Sequence, residues 1–107
     1  MTGAIDWLSP WYPVDDPNTC AALERQLSLE IAPDHKLVGR TVRLIARRDD
    51  TDDALFALED GRIAEVHMTW RSSRETDPRW PATAIFPSLD AWAKESMEPL
   101  HRELSDL

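Results

Sequence analysis

Residues 60–70 hold the pattern that most restricts what this chain can fold into. Apolar side chains occupy every second position from Ala64 to Trp70, and polar or charged side chains fill most positions between them. Because successive side chains of a β-strand point to opposite faces, this alternation predicts a strand with one buried face. The dipeptide Asp60-Gly61 directly before it is typical of a tight hairpin turn. The pattern therefore predicts an antiparallel hairpin that ends in this strand.

Two other segments predict further strands of the same sheet. Apolar and basic side chains alternate in residues 42–47, interrupted only by Ile45, and residues 54–58 are a short apolar run. Both segments have the length and composition of β-strands. The charged residues 49–53 lie between them and predict a turn. Together with the hairpin, these segments predict a three-stranded antiparallel meander.

Helices are predicted before and after these strands. Asp16-Pro17 is typical of a helix start, and apolar residues follow at three- and four-residue spacing, with Glu30 away from that stripe. Ser88 is predicted to cap a second helix, which Pro99 is expected to break or kink at Glu98. The predicted fold class is therefore α+β, a three-stranded antiparallel meander flanked by an N-terminal and a C-terminal helix (α-β-β-β-α), with the helices covering one face.

The sequence also predicts how the chain divides. Residues 1–16 contain Trp7, Trp11 and Tyr12 without a helical or strand period, so they are interpreted as an irregular aromatic arm that packs on the domain or on a partner. Residues 17–107 are interpreted as a single α+β domain. A chain of 107 residues with 42% apolar content has enough material for one core, whereas two domains would each be too small.

Charge and composition restrict the partners and the compartment. The formal charge of −8 argues against nucleic-acid binding, because phosphates would be repelled, and it is compatible with a basic protein partner. A general role in solubility is the alternative explanation of an acidic surface. A single cysteine cannot build a disulfide framework, and neither a signal peptide nor a membrane span is visible. The sequence therefore predicts a cytoplasmic protein with no membrane partner.

Neither a metal nor a cofactor is predicted. A calcium loop that began at Asp49 would need glycine at the position of Ala54. The three histidines and the cysteine share no zinc-ligand spacing, and the three glycines form no phosphate-binding loop. The aspartates in residues 49–53 are therefore interpreted as a solvated turn.

The tryptophans and one histidine supply the candidate site. Trp92 is predicted to be core and Trp70 to lie at the margin of the core, whereas Trp80, between Pro78 and Pro81, is either a recognition residue or a lid over the sheet. His67 is predicted to share a polar sheet face with Glu65, where a carboxylate orients an imidazole for base chemistry; a purely structural strand histidine is the alternative. The predicted binding residues are Glu65, His67, Trp70, Arg71, Asp77, Arg79 and Trp80.

Three stretches carry a resemblance. They are Asp52-Asp53-Ala54-Leu55-Phe56, the run from Asp60-Gly61-Arg62 to Thr69-Trp70, and Phe86-Pro87-Ser88-Leu89-Asp90-Ala91-Trp92. The chain resembles a set of small uncharacterised bacterial single-domain proteins in these stretches. The resemblance implies a free-standing bacterial domain and implies no activity.

Three functional hypotheses follow from the sequence. The first is a small acidic protein-binding module that uses the loop between Trp70 and Trp80 on a basic partner, as immunity proteins that neutralise bacterial toxins do. The second is a small enzyme or ligand-binding protein that uses His67 and Glu65 on an open sheet face. The third is a self-associating module in which the aromatic arm packs on a second copy. The first is favoured, because no catalytic motif is present.

Overall fold

A five-stranded antiparallel sheet is the centre of the computed structural model, which describes residues 5–70 and 76–106. The strands lie side by side in chain order: β1 (Trp11–Pro13), β2 (Val42–Arg48), β3 (Asp53–Leu58), β4 (Ile63–His67) and β5 (Thr83–Phe86). Helix α1 (Pro17–Glu30) connects β1 to β2, and a C-terminal helix follows β5. The fold is α+β, but the prediction of a three-stranded meander was wrong, because both edge strands were missed.

The two edge strands are too short to show a sequence period. β1 has three residues and falls in the segment predicted to be an irregular arm, and β5 has four residues at the end of a predicted loop. Each edge strand forms because it pairs with a longer neighbouring strand. Tyr12 of β1 pairs with Arg47 of β2, and Ala84 of β5 pairs with Glu65 of β4. Strand formation here is therefore a tertiary effect.

The helices pack against opposite faces of the sheet, not against one face as predicted. Alternation along β3 shows this directly, since Ala54 and Phe56 belong to one buried cluster and Leu55 belongs to the other. The cluster under α1 consists of Leu23, Leu27, Ile31, Leu37, Leu44, Ala54, Phe56, Leu58, Ala64, Val66 and Met68. The cluster under the C-terminal helix consists of Trp11, Ala46, Leu55, Ile63, Trp92, Ala93 and Met97.

A β-bulge explains the break in the pattern of β2. The register between β2 and β3 shifts between Leu44 and Ala46, so Ile45 is the extra residue. As a result Leu44 faces α1, whereas Ala46, two positions later, faces the C-terminal helix. The bulge places Ile45 and Ala46 against the same cluster, under the C-terminal helix.

The C-terminal helix continues through Pro99, where a break or a kink at Glu98 was predicted, and its geometry changes directly before Glu98. It consists of an α-helical turn at Leu89–Trp92, a π-helical turn at Ala93–Met97 and an α-helical stretch at Glu98–Ser105. The backbone N–H of Glu98 donates to the carbonyl of Ala93, five residues earlier. This wider turn accommodates the ring of Pro99 and its missing N–H, which an uninterrupted α-helix does not. None of the helices in the described residues is long and apolar enough to cross a membrane.

The sheet edges offer few groups for pairing with another strand. In β1, the N–H of Trp11 donates to the carbonyl of Leu8, and Pro13 has no N–H. In β5, Lys36 Nζ donates to the carbonyl of Thr83 at 2.9 Å. Short edge strands with proline and a covering lysine oppose strand addition. A partner is therefore expected to contact side chains rather than extend the sheet.

The turn between β3 and β4 is held by Asp60. Its carboxylate accepts from the backbone N–H of Arg62 at 3.0 Å and from the Arg40 guanidinium at 2.9 Å, while Gly61 supplies a φ of 91°. The backbone N–H of Arg62 lowers the pKa of Asp60 from 3.8 to about 2; desolvation opposes this shift, and the side chains of Arg40 and Arg62 add to it. The predicted hairpin turn is thus present and is stabilised by charge.

Replacing Asp60 by asparagine will make the free energy of unfolding depend less on pH in the acid range. A carboxylate whose pKa is lowered by folding stabilises the protein above its unfolded pKa, and that stability is lost as pH falls from about 4 through about 2. Asp60→Asn keeps an acceptor for the Arg62 N–H but cannot titrate. Urea unfolding at several pH values between 2 and 5 will show a smaller acid loss in the variant than in the wild type. Equal losses in the two proteins would contradict the assignment.

Candidate binding surface

Glu30 is a fully buried carboxylate at the end of α1. Its two oxygens accept four hydrogen bonds, from Gln26 Nε2 at 2.7 Å, Thr69 N at 2.9 Å, Thr69 Oγ1 at 2.7 Å and Trp70 N at 2.9 Å. Buried carboxylates require such donors to replace water. The prediction that Glu30 lies away from the buried stripe was wrong, because Glu30 follows Leu23 and Leu27 at helical spacing and shares their buried face.

Trp70 turns away from the core at the point where Glu30 holds its backbone. Its φ is 59°, in the left-handed region that bulky residues rarely adopt, and 44% of its surface is exposed. The strand alternation through Met68 predicts a place at the core margin, but the left-handed turn takes Trp70 off that face. The indole instead lies beneath Arg47, whose Cζ is 5.6 Å from the ring centroid.

Arg47 joins Trp70 to a third surface residue. It pairs across strands with Tyr12, which is 41% exposed. Its Nε–H is buried and has no hydrogen-bond partner among the described residues. Three other arginines that are also only half-buried bind carboxylates: Arg40, Arg48 and Arg62. We call Tyr12, Arg47 and Trp70 the aromatic–arginine patch.

A second buried polar residue, His35, binds the C-terminal end of the segment that connects β4 to β5. His35 is almost fully buried; its Nε2 donates to the Pro81 carbonyl at 3.0 Å, and its Nδ1 accepts from Leu37 N at 3.0 Å. Trp80, next to Pro81 and joined to it by a cis peptide bond, is 45% exposed. The segment that connects β4 to β5 is therefore tied to the end of α1 by Glu30 and to the following turn by His35.

The charged residues predicted around Trp80 bind each other. Arg79 donates to both oxygens of Asp77, with the shortest distance 2.6 Å, and this contact lowers the pKa of Asp77. The Asp77 carboxylate also accepts from the Arg79 backbone N–H at 2.9 Å, which makes this a local turn contact. Arg71, the other predicted charge, lies outside the described residues.

Glu65 and His67 lie on the other face of the sheet from Glu30. Glu65 accepts from Trp92 Nε1 at 2.7 Å and from Ser96 Oγ at 2.6 Å, so the C-terminal helix covers the position that was predicted to be open. His67 is half-exposed, and its Nδ1 lies 2.9 Å from an oxygen of Asp53. The carboxylate that orients this imidazole is therefore Asp53 across the strand pair, not Glu65.

Acidic groups border the aromatic–arginine patch. Tyr12 and Arg47 line a shallow depression together with Asp15, Asp16 and Thr19. Asp16 caps α1, where the Thr19 backbone N–H and hydroxyl hold its pKa below the usual value. The patch thus combines two exposed aromatic rings, one guanidinium and an acidic rim.

Sequence reasoning found part of this surface. It predicted Trp70 and Trp80 as binding residues and placed Tyr12 in an arm that packs on the domain or on a partner. It assigned no role in the site to Glu30, His35 or Arg47, whose contacts are long-range. In the part of the chain that the structure describes, no three histidine, cysteine or acidic side chains are grouped to hold a metal ion. Comparisons with protein-family models, with curated protein sequences and with solved structures each find no match.

Proposed function

We propose that this protein is a small acidic protein-binding module whose contact surface is centred on the aromatic–arginine patch. The observation that carries the proposal is the exposure of Tyr12 and Trp70, two aromatic side chains that both neighbour Arg47. Tryptophan, tyrosine and arginine are the residues that most often dominate the binding energy of protein interfaces.

The conformation of the patch also supports a binding role. Trp70 adopts a backbone conformation that is unfavourable for its residue type, and a buried carboxylate maintains it. Strained backbone maintained by its surroundings is found mainly at functional sites. A side chain held in place before binding loses little conformational entropy when the partner arrives. Simple solubility does not require any of these features.

The charge of the surface indicates the chemistry of the partner. The chain carries a formal charge of −8, and Asp15 and Asp16 border the patch directly. A basic protein fits this rim, because its cationic side chains would face the two carboxylates. A bacterial toxin with a basic surface, neutralised by this module as an immunity protein, is the specific form of the proposal.

Alanine substitutions in the patch will weaken this complex strongly. The bait is the purified protein immobilised for capture, and the partner is a basic protein recovered in stoichiometric amounts, then titrated by calorimetry. Trp70→Ala is expected to raise Kd by roughly 30-fold or more, and Arg47→Ala by a similar factor. Higher ionic strength will slow association, because the acidic rim attracts the partner over a distance.

Leu104→Ala is the matched control, since Leu104 is also an exposed apolar side chain but lies on the C-terminal helix. It should leave Kd within about twofold of the wild-type value. A stoichiometric partner that binds Trp70→Ala and the wild type equally would exclude the patch as the contact surface. Capture of the chain by itself, with a dimer in light scattering, would instead support self-association.

A further inference from the structure

The direction of the Trp70 indole depends on one contact below the surface. The backbone N–H groups of Thr69 and Trp70 are successive, and both point to the Glu30 carboxylate, at 2.9 Å each. Successive amides that converge on one anion form a concave anion site. Here the anion is not a ligand but a side chain from α1.

The four hydrogen bonds require a carboxylate at position 30. Gln26 Nε2, Thr69 Oγ1 and the two amides are all donors, so both carboxylate oxygens accept twice. A glutamine in the same place would point its own N–H groups at two of these donors. A side chain of the same shape as glutamate is therefore not sufficient, because both terminal atoms at this position must be hydrogen-bond acceptors.

We infer that Glu30 is the positioning residue of the aromatic–arginine patch. It holds Trp70 in the left-handed conformation and thereby keeps the indole exposed beneath Arg47. Glu30 itself is fully buried and cannot touch a partner. The biological meaning of this inference rests on the proposed function, but its physical content concerns the unbound protein alone.

Amide hydrogen exchange of the wild-type protein gives the first test. Thr69 and Trp70 lie beyond the end of β4 at His67, where amides normally exchange quickly. Bound to a buried carboxylate, they should exchange at least about 100-fold more slowly than the amide of Arg79, which is bound only within its exposed turn. Exchange of Trp70 as fast as that of Arg79 would overturn the inference, and this measurement needs no variant.

The second test follows the Arg47 Nε–H resonance in NMR spectra. The Trp70 ring current should shift this resonance in the wild type, and Trp70→Leu gives its position without the ring. In Glu30→Gln the resonance should move to the Trp70→Leu position, while signals of the C-terminal helix stay in place. Glu24→Gln is the matched control, because Glu24 is on the same helix and accepts one backbone N–H, from Leu44 at 3.0 Å.

The outcomes separate this inference from the proposed function. A folded Glu30→Gln protein with an unchanged Arg47 resonance overturns the positioning role, even if Trp70→Ala abolishes partner binding. Conversely, a shifted resonance supports the positioning role, even if no partner depends on Trp70. If Glu30→Gln does not fold, the exchange rates of the wild-type amides decide the question.

Discussion

Replacing Trp92 by alanine will lower the free energy of unfolding by about 4–5 kcal/mol, the upper part of the range for large-to-small core substitutions. Trp92 is fully buried, and its ring contacts Trp11 edge-on at 5.1 Å and Trp7 at 5.8 Å. Its Nε1 also donates to Glu65. The substitution therefore leaves a cavity among aromatic rings and removes one of the donors to a partly buried carboxylate.

Chemical denaturation measures this effect, and Trp92→Phe separates its two parts. Phenylalanine fills most of the space but cannot donate to Glu65, so the loss should be about 1–2 kcal/mol. Since a domain of this size is stable by only about 5–15 kcal/mol, the alanine substitution will remove about a quarter of that free energy or more. A loss below about 2 kcal/mol for Trp92→Ala would show that the three-tryptophan cluster does not hold the arm on the sheet.

Local patterns were sufficient for the central part of this fold. The alternation of Ala64, Val66 and Met68 and the turn at Asp60-Gly61 predicted β4 and its hairpin, and both are present. Asp16 and the following apolar spacing predicted α1, whose cap forms as expected. These elements are determined by residues close in sequence, so the pattern contains the necessary information.

The edge strands and the faces of the sheet depend on contacts that no local pattern contains. β1 forms because β2 offers a paired edge, and the bulge at Ile45 decides which face Ala46 takes. Apolar residues on both faces of β3 indicate two helical layers, yet a run of five apolar residues is also compatible with one covered face. The prediction of an open face around Glu65 failed for this reason.

In the candidate surface, too, some features follow from the local sequence and others from long-range contacts. Trp92 is buried as its helical spacing predicts, whereas Trp80 is 45% exposed and its role in recognition stays a prediction. Trp70 does not continue the strand alternation that ends at Met68, because a carboxylate 40 residues earlier holds its backbone in a left-handed turn. The helical spacing after Leu23 and Leu27 places Glu30 on the buried face of α1, but its partners Thr69 and Trp70 could not be predicted from neighbouring residues.

The second large effect is expected for Glu30→Ala, which will lower the free energy of unfolding by about 3–5 kcal/mol. The substitution leaves the amides of Thr69 and Trp70 and the side chains of Gln26 and Thr69 without this acceptor. These donors are partly buried, so water replaces the carboxylate only in part, and relaxation of Trp70 from its left-handed conformation recovers some of the loss. Urea unfolding monitored by circular dichroism measures the difference.

Glu24→Ala is the control for this prediction, because it removes a carboxylate of the same helix that accepts a single backbone N–H. A loss of about 1 kcal/mol is expected for it, so the ratio of the two effects reports the number of donors that depend on each side chain. Similar losses for the two variants would mean that water replaces the Glu30 carboxylate without difficulty. In that case the loop would not need a buried anion to hold Trp70, and its exposed indole would have to be maintained by Arg47 alone.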